Sequence, residues 1–172
     1  MTKNIEFKDY AKDIKLNLSS ILKSDPESSL KENQIYGVAL SCAYTTKNSD
    51  LVEFVLEKAE GKISEEEINA AKAASSIMAM NNIYYRFAHL VSDKEYLQMP
   101  AKLRMNIIGN PGIDKVDFEL YSLAVSAING CGLCIDSHVK QLVNSKVDKS
   151  TIAHTIRISS VINAVAQTLF IN

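Results

Sequence analysis

A chain of 172 residues is long enough for one domain or for two small fused repeats. Its 47% hydrophobic content permits a real core, its net charge of −1 excludes a general drive toward nucleic acid or anionic membrane, and only 3 Pro and 6 Gly leave room for long helices. No stretch approaches the ~20 apolar residues of a membrane span, and Met1 to Asp13 alternates charges (Lys3, Glu6, Lys8, Asp9, Lys12, Asp13) without a signal-peptide core, so a cytoplasmic protein is expected.

Helix starts follow from capping chemistry. Asp25-Pro26-Glu27 sets a capping carboxylate before a proline and predicts the first well-marked start. Ser49-Asp50-Leu51 opens a helix that Gly61 should stop. Ser64-Glu65-Glu66-Glu67 reads as a capping box before Ile68, Ala71, Ser75 and Met78 at helical spacing. Ser92-Asp93-Lys94-Glu95 reads as a second box. Pro111-Gly112 is a turn, and Asp114 then caps a run through Phe118, Leu120, Leu123 and Ile128. Asp148 caps a final helix whose apolar positions are Ile152, Ile156, Val161, Val165 and Leu169. No segment alternates with period 2 between hairpin turns. The expected fold is all-α and multi-helical, one domain over residues 1–172, with roughly eight to ten helices.

A weak internal repeat runs through this pattern. Tyr36, Ala39 and Ser41 fall on Tyr121, Ala124 and Ser126 at an offset of 85, and Ile68 and Ser75 fall on Ile152 and Ser159 at 84. Two pseudo-repeated helical halves, about 30–90 and 115–172, are expected, with coincidence between amphipathic helices as the alternative. In this alignment Thr46 and Ser49 stand where the second half has Cys131 and Cys134, so only the second half carries thiol chemistry.

Asn129-Gly130 is a helix stop, which puts Cys131 at or just before the first turn of the next helix. Cys131 and Cys134 are three apart, and Cys134 and His138 four apart, so the three side chains share one helix face. Such cysteines can close a disulfide without unfolding the helix start. Unpaired N–H groups at a helix N-terminus favour a thiolate, which is the form that attacks peroxides and disulfides. His138, one turn on, can accept a thiol proton. In a reducing compartment a cysteine pair is more often catalytic or metal-binding than structural. Zinc is the metal alternative, but a closed site needs a fourth ligand, and Cys42, His89 and His154 are scattered singly. No metal and no tightly bound cofactor is expected. The lack of visible strands speaks against a thioredoxin context, where the motif normally follows a strand. Cys42 lies in an apolar run and reads as a small buried hydrophobe. His89 and His154 read as surface or packing residues, and Met78 and Met80 as core.

The chain resembles the alkyl hydroperoxide reductase D family, helical thiol proteins of the carboxymuconolactone-decarboxylase-like superfamily. The likeness runs over nearly the whole length. It is carried by Tyr10 to Ser20, Met80-Asn-Asn-Ile-Tyr-Tyr-Arg86, Leu103 to Ile113, and above all Glu119-x11-Cys131-x2-Cys134-x3-His138 with its flanks. The resemblance implies that Cys134 is the attacking, sulfenate-forming thiol and Cys131 the resolving, proton-donating one. It implies a proton relay of His138 and Glu119, the glutamate reaching from the preceding helix. It also implies weak peroxidase activity, regeneration of a partner peroxiredoxin (alkyl hydroperoxide reductase C), and electrons from dihydrolipoamide on a lipoylated acyltransferase of a 2-oxoacid dehydrogenase complex. A homo-oligomer, often a trimer, is implied too. Two positions depart from the family pattern. Leu133 stands where a histidine is frequent, and Val139 where the residue is often acidic. The alternatives are a decarboxylase or lactone-type enzyme of the superfamily, in which the cysteines would be incidental, and a zinc-binding module.

Overall fold

In the computed structural model, which describes residues 5–172, helix follows helix and no strand occurs among the described residues. Lys3, one of the alternating N-terminal charges, lies outside them. A 3-10 turn at Asp9–Ala11 leads into α1 (Lys12–Ile21), followed by α2 (Glu32–Thr46), α3 (Ser49–Ala59) and the long α4 (Glu65–Leu90). Two short helices, α5 (Glu95–Gln98) and α6 (Asn106–Gly109), precede α7 (Lys115–Asn129), α8 (Gly132–Asn144) and α9 (Lys149–Ile171). None of these helices is long and apolar enough to cross a membrane.

Three of the capping signals act as the sequence predicts. Ser64 accepts the Glu67 N–H at 3.2 Å while the Glu67 carboxylate accepts the Ser64 N–H at 2.7 Å, a reciprocal box that satisfies two free donors of α4. Asp114 takes the Val116 N–H at 2.8 Å to start α7, and Asp148 takes the Thr151 N–H at 2.7 Å to start α9.

Two signals are spent otherwise. Asp25-Pro26-Glu27 makes a turn and no helix: Asp25 Oδ1 accepts the Glu27 N–H and Asp25 O accepts the Ser28 N–H, each at 2.9 Å. Beyond the turn the chain is held extended by α9, because Ser29 donates its N–H to Thr151 Oγ1 at 2.9 Å and its hydroxyl to Asp148 at 3.0 Å. The next helix therefore begins only behind Lys31, whose N–H is taken by Gln34 Oε1 at 2.9 Å. Ser92 caps nothing; Asp93 accepts the Glu95 N–H at 3.0 Å and opens only the four-residue α5.

Two helices form the centre. α2 is buried from Gln34 through Ala43 and α7 from Leu120 through Ser126, and a helix apolar on all sides belongs inside. Each packs on the other and on both long helices, α4 and α9. Their close approach needs Gly37, since a Cβ there would run into the Tyr121 phenol. Outside this core α1 lies on α9, α3 on α2, and α8 on α7 and α4. Cys42 is fully buried in α2, and that burial pushes its thiol up to about 12, the behaviour of an inert small hydrophobe.

The inner face of α9 differs from the predicted one. Of the five expected apolar positions only Val165 is buried; Ile152, Ile156, Val161 and Leu169 are half-buried around the flank. The innermost residues include Thr155, Ile158, Ser159 and Ile162. Their hydroxyls enter the core without cost in lost hydrogen bonds: Thr155 donates to Thr151 O at 3.0 Å and Ser159 to Ala124 O at 2.9 Å.

The order of a 15-residue helix, a shorter one and a long one occurs twice, as α2–α3–α4 and α7–α8–α9. α2 ends on Lys47 and α7 on Gly130, both left-handed, with φ of 58° and 69°. Counted from those residues, Asn48 stands opposite Cys131 and Leu51 opposite Cys134. The sequence alignment had Thr46 and Ser49 there, but Thr46 still belongs to α2. Asn48 and Cys131 are both N-caps.

Candidate active site

The site is built on the tight turn between α7 and α8. After Asn129 the chain reverses through Gly130, and Cys131 N–H donates back to Ser126 O at 3.2 Å. This left-handed close ends one helix and starts the next within two residues. Cys131 is the N-cap of α8, in extended conformation, and its Sγ accepts the Cys134 N–H at 3.4 Å. Cys131 and Cys134 are joined in a disulfide, with Cα atoms 5.3 Å apart. The two sulfurs differ in access. Cys131 is wholly buried, while Cys134 keeps 7% exposure and lies in the wall of a cleft.

His138 follows Cys134 by one turn on the same face. Because α7 and α8 fold back on each other, Glu119 on α7 reaches it, with His138 Nδ1 and Glu119 Oε2 2.6 Å apart. An ionised carboxylate can only accept, so Nδ1 carries the hydrogen and Nε2 is left free. Both side chains are largely shielded from solvent, at 10% and 20% exposure. The four residues Glu119, Cys131, Cys134 and His138 are thus gathered in one place. His89 and His154 are not part of it: His89 is exposed on the last turn of α4, and His154 is buried in α9 among Asn17, Ile21 and Arg157.

The cleft in front of Cys134 has a volume of about 400 Å³. Its walls are mainly apolar: Met78 and Tyr85 from α4, Met105 and Ile108 from the α6 region, and Leu133 from α8. Glu119, His138, Ser137, Gln141 and Asn81 add polar groups. Leu133, the departure from the family pattern, is therefore a wall residue; Val139 packs against the core instead. Met78 was legible as core, and it is the buried floor of this cleft; Met80 is half-buried. Asn81, Tyr85, Met105 and Ile108 were not legible as site residues. The available signal was that Asn81 and Tyr85 lie in the Met80–Arg86 block, and Met105 and Ile108 in the Leu103–Ile113 block, both of which carried the resemblance.

A second polar cluster secures the turn from behind. Arg86 donates to Asn129 O at 2.6 Å, Asn129 Nδ2 to Asn82 Oδ1 at 2.9 Å, and Asn82 Nδ2 to Ser126 Oγ at 2.9 Å. These bonds tie α4 to the C-terminal turn of α7, where the last carbonyls lack helical partners. A cation at a helix C-terminus is also favoured by the helix dipole.

Comparison with known proteins finds relatives over most of the chain. Residues 94–170 match the model of the carboxymuconolactone decarboxylase family. An alkyl hydroperoxide reductase AhpD of Coxiella burnetii is 61% identical over 159 residues, covering 92% of this chain and 90% of the relative. AhpD of Rhizorhabdus wittichii is 55% identical over 92% of this chain and 90% of its own. AhpD of Hyphomonas neptunium is 53% identical over 94% and 88%.

Proposed function

The chain belongs to the alkyl hydroperoxide reductase AhpD family, and from that premise we propose that it is an antioxidant thiol oxidoreductase working through Cys134, Cys131, His138 and Glu119. The observation that carries the reading is the Cys131–Cys134 disulfide set beside the His138–Glu119 pair at the mouth of an apolar cleft.

In the reduced protein Cys134 passes its thiol proton to the free Nε2 of His138, and the resulting thiolate attacks the terminal oxygen of a hydroperoxide. The O–O bond breaks, Cys134 becomes a sulfenic acid, and the alkoxide takes a proton from Cys131. The Cys131 thiolate then attacks the Cys134 sulfur, closing the disulfide and expelling hydroxide, which takes a proton from His138 and leaves as water. Glu119 holds the imidazole in the orientation that serves both thiols. Attack on a partner peroxiredoxin's disulfide follows the same division: Cys134 forms the mixed disulfide and Cys131 resolves it, leaving the peroxiredoxin with two thiols.

Reduction runs the exchange backwards, with a dihydrolipoyl dithiol of an acyltransferase as donor. A lipoyl thiolate attacks the accessible Cys134 sulfur, and Cys131 departs as thiolate. The second lipoyl thiol then frees Cys134 and the lipoyl disulfide forms. Cys131 suits the leaving role because it sits at the α8 N-terminus with its sulfur on the Cys134 N–H, where negative charge is favoured. Accessibility supports the same assignment, since only Cys134 lies in the cleft wall. The working form is a homo-oligomer, a trimer by analogy with the family. The exposed stripe of Ile83, Phe87 and Leu90 along α4 supports subunit packing.

The test is lipoamide-dependent hydroperoxide consumption, with and without the peroxiredoxin, for wild type and Cys134→Ser. Wild type should turn over and be stimulated by the peroxiredoxin, and the variant should be silent. Equal rates in the two would remove the assignment.

A further inference from the structure

Asn81 and Asn82 are neighbours on α4 with opposite circumstances. Both are almost fully buried, at 5% and 1% exposure. Asn82 is fully engaged with Ser126 and Asn129 behind the α7–α8 turn. Asn81 lines the cleft together with Cys134, Glu119 and His138, and its buried carboxamide oxygen has no hydrogen-bond partner in the protein. A polar atom taken out of water and left unpaired is unfavourable, and proteins rarely keep one without use. Asn82 accounts for the structural bonds at this level of α4, so Asn81 has no architectural role in hydrogen bonding.

Resting on the reading of this site as a hydroperoxide-reducing centre, we propose that Asn81 is a substrate-holding residue whose carboxamide oxygen accepts the O–H of the bound hydroperoxide. The chemistry of the cleft sets the orientation. A hydroperoxide has one strong donor, the hydrogen on its terminal oxygen, and that is the oxygen the Cys134 thiolate attacks. An acceptor in the wall beside Cys134 therefore fixes the reacting end. The organic group then lies along Met78, Tyr85, Met105, Ile108 and Leu133, which offer it apolar surface. After attack the terminal oxygen is bonded to sulfur and still carries its hydrogen, so the sulfenic acid keeps the same contact until Cys131 displaces the oxygen.

The experiment compares two reactions of the same thiolate in reduced, full-length protein. One is single-turnover oxidation by cumene hydroperoxide, which has the O–H donor and an apolar body. The other is modification by methyl methanethiosulfonate, which has no hydrogen-bond donor. Asn81→Leu keeps the side-chain shape and leaves no protein group unpaired, because the Asn81 oxygen had no partner. The expected result is a fall of about tenfold or more in the second-order rate constant for the hydroperoxide, with the methanethiosulfonate rate within about twofold of wild type. Asn81→Ser, which keeps a short acceptor, should fall between the two in the peroxide reaction, and it decides the matter by the same ratio should Asn81→Leu lose its helicity. Equal losses in both reactions would mean that Asn81 only shapes the cleft, and no loss in either would mean that it is idle; both overturn the proposal. Wild-type protein that fails to consume hydroperoxide at all overturns the functional reading along with it, which separates the two failures.

Discussion

Cys131 and Cys134 are three residues apart and share a helix face, yet their surroundings assign them different work. One is sealed at a helix cap and the other opens on the cleft. Spacing was enough to place them with His138, because residues three and four apart on a helix must be neighbours. It could not supply Glu119, which is twelve residues before Cys131 on another helix and came from the family resemblance. The structure gives it a bond of 2.6 Å to His138. Asn81 lies in a block that carried the resemblance, but neither route gave it a role. Asparagine carries no signature in a single sequence, and its significance is only that its partner is missing. The Glu119–His138 bond yields a prediction at this scale. Glu119→Gln keeps the size and an acceptor oxygen but removes the charge, and should lower lipoamide-dependent peroxide turnover by about a hundredfold, with the helical circular dichroism unchanged. Turnover equal to wild type would take Glu119 out of the relay.

At the scale of elements, caps were legible wherever the side chain and its target lie within one turn. Ser64, Asp114 and Asp148 are such cases. Asp25 carried the same local signal and used it for a turn, because Thr151 and Asp148 of a remote helix hold the following residues extended. The misread face of α9 has a related cause. Hydropathy ranks Ile152 and Ile156 above Thr155 and Ser159, but a hydroxyl that donates to a backbone carbonyl can be buried as well as a methyl group. The α7–α8 turn supplies the prediction here. Gly130 has φ of 69°, a region that costs a residue with a Cβ about 1 kcal/mol. There is room for the methyl group, whose nearest neighbour would be Arg86 at 4.0 Å. Gly130→Ala should therefore lower stability by about 1 kcal/mol, read as a lower urea midpoint at unchanged slope. The strain falls on the residue before Cys131, so the rate of disulfide reduction by dihydrolipoamide should change as well. A variant as stable as wild type would show that the turn relaxes into another form.

For the whole molecule, α1 and the segment after it pack on α9. Arg157 donates to Asp25 at 2.6 Å, and His154 is nearly inaccessible beneath the segment that joins α1 to α2. Burial holds the His154 imidazole below its ordinary range, with the Arg157 charge adding to the effect against opposing contributions from Ile21 O and Asp25. In the unfolded chain it takes a proton near the usual value of about 6.5, whereas the folded protein resists that charge. The unfolded state thus binds more protons as pH falls, so stability present above about pH 6.5 should be lost progressively below it. Urea midpoints measured from pH 7.5 to 5 should decline, and His154→Gln should flatten that decline. A variant with the same slope would place the effect elsewhere. The sequence by itself determined the helical class, most helix starts, and the Cys131–Cys134–His138 face, because each depends on contacts within a few residues of chain. Tertiary structure alone decided that Asp25 turns, that α9 buries its hydroxyls, that Cys134 faces the cleft while Cys131 does not, and that Asn81 stands unpaired beside it. Those outcomes depend on which distant surfaces meet, and a local pattern of residues does not encode the partner against which it will pack.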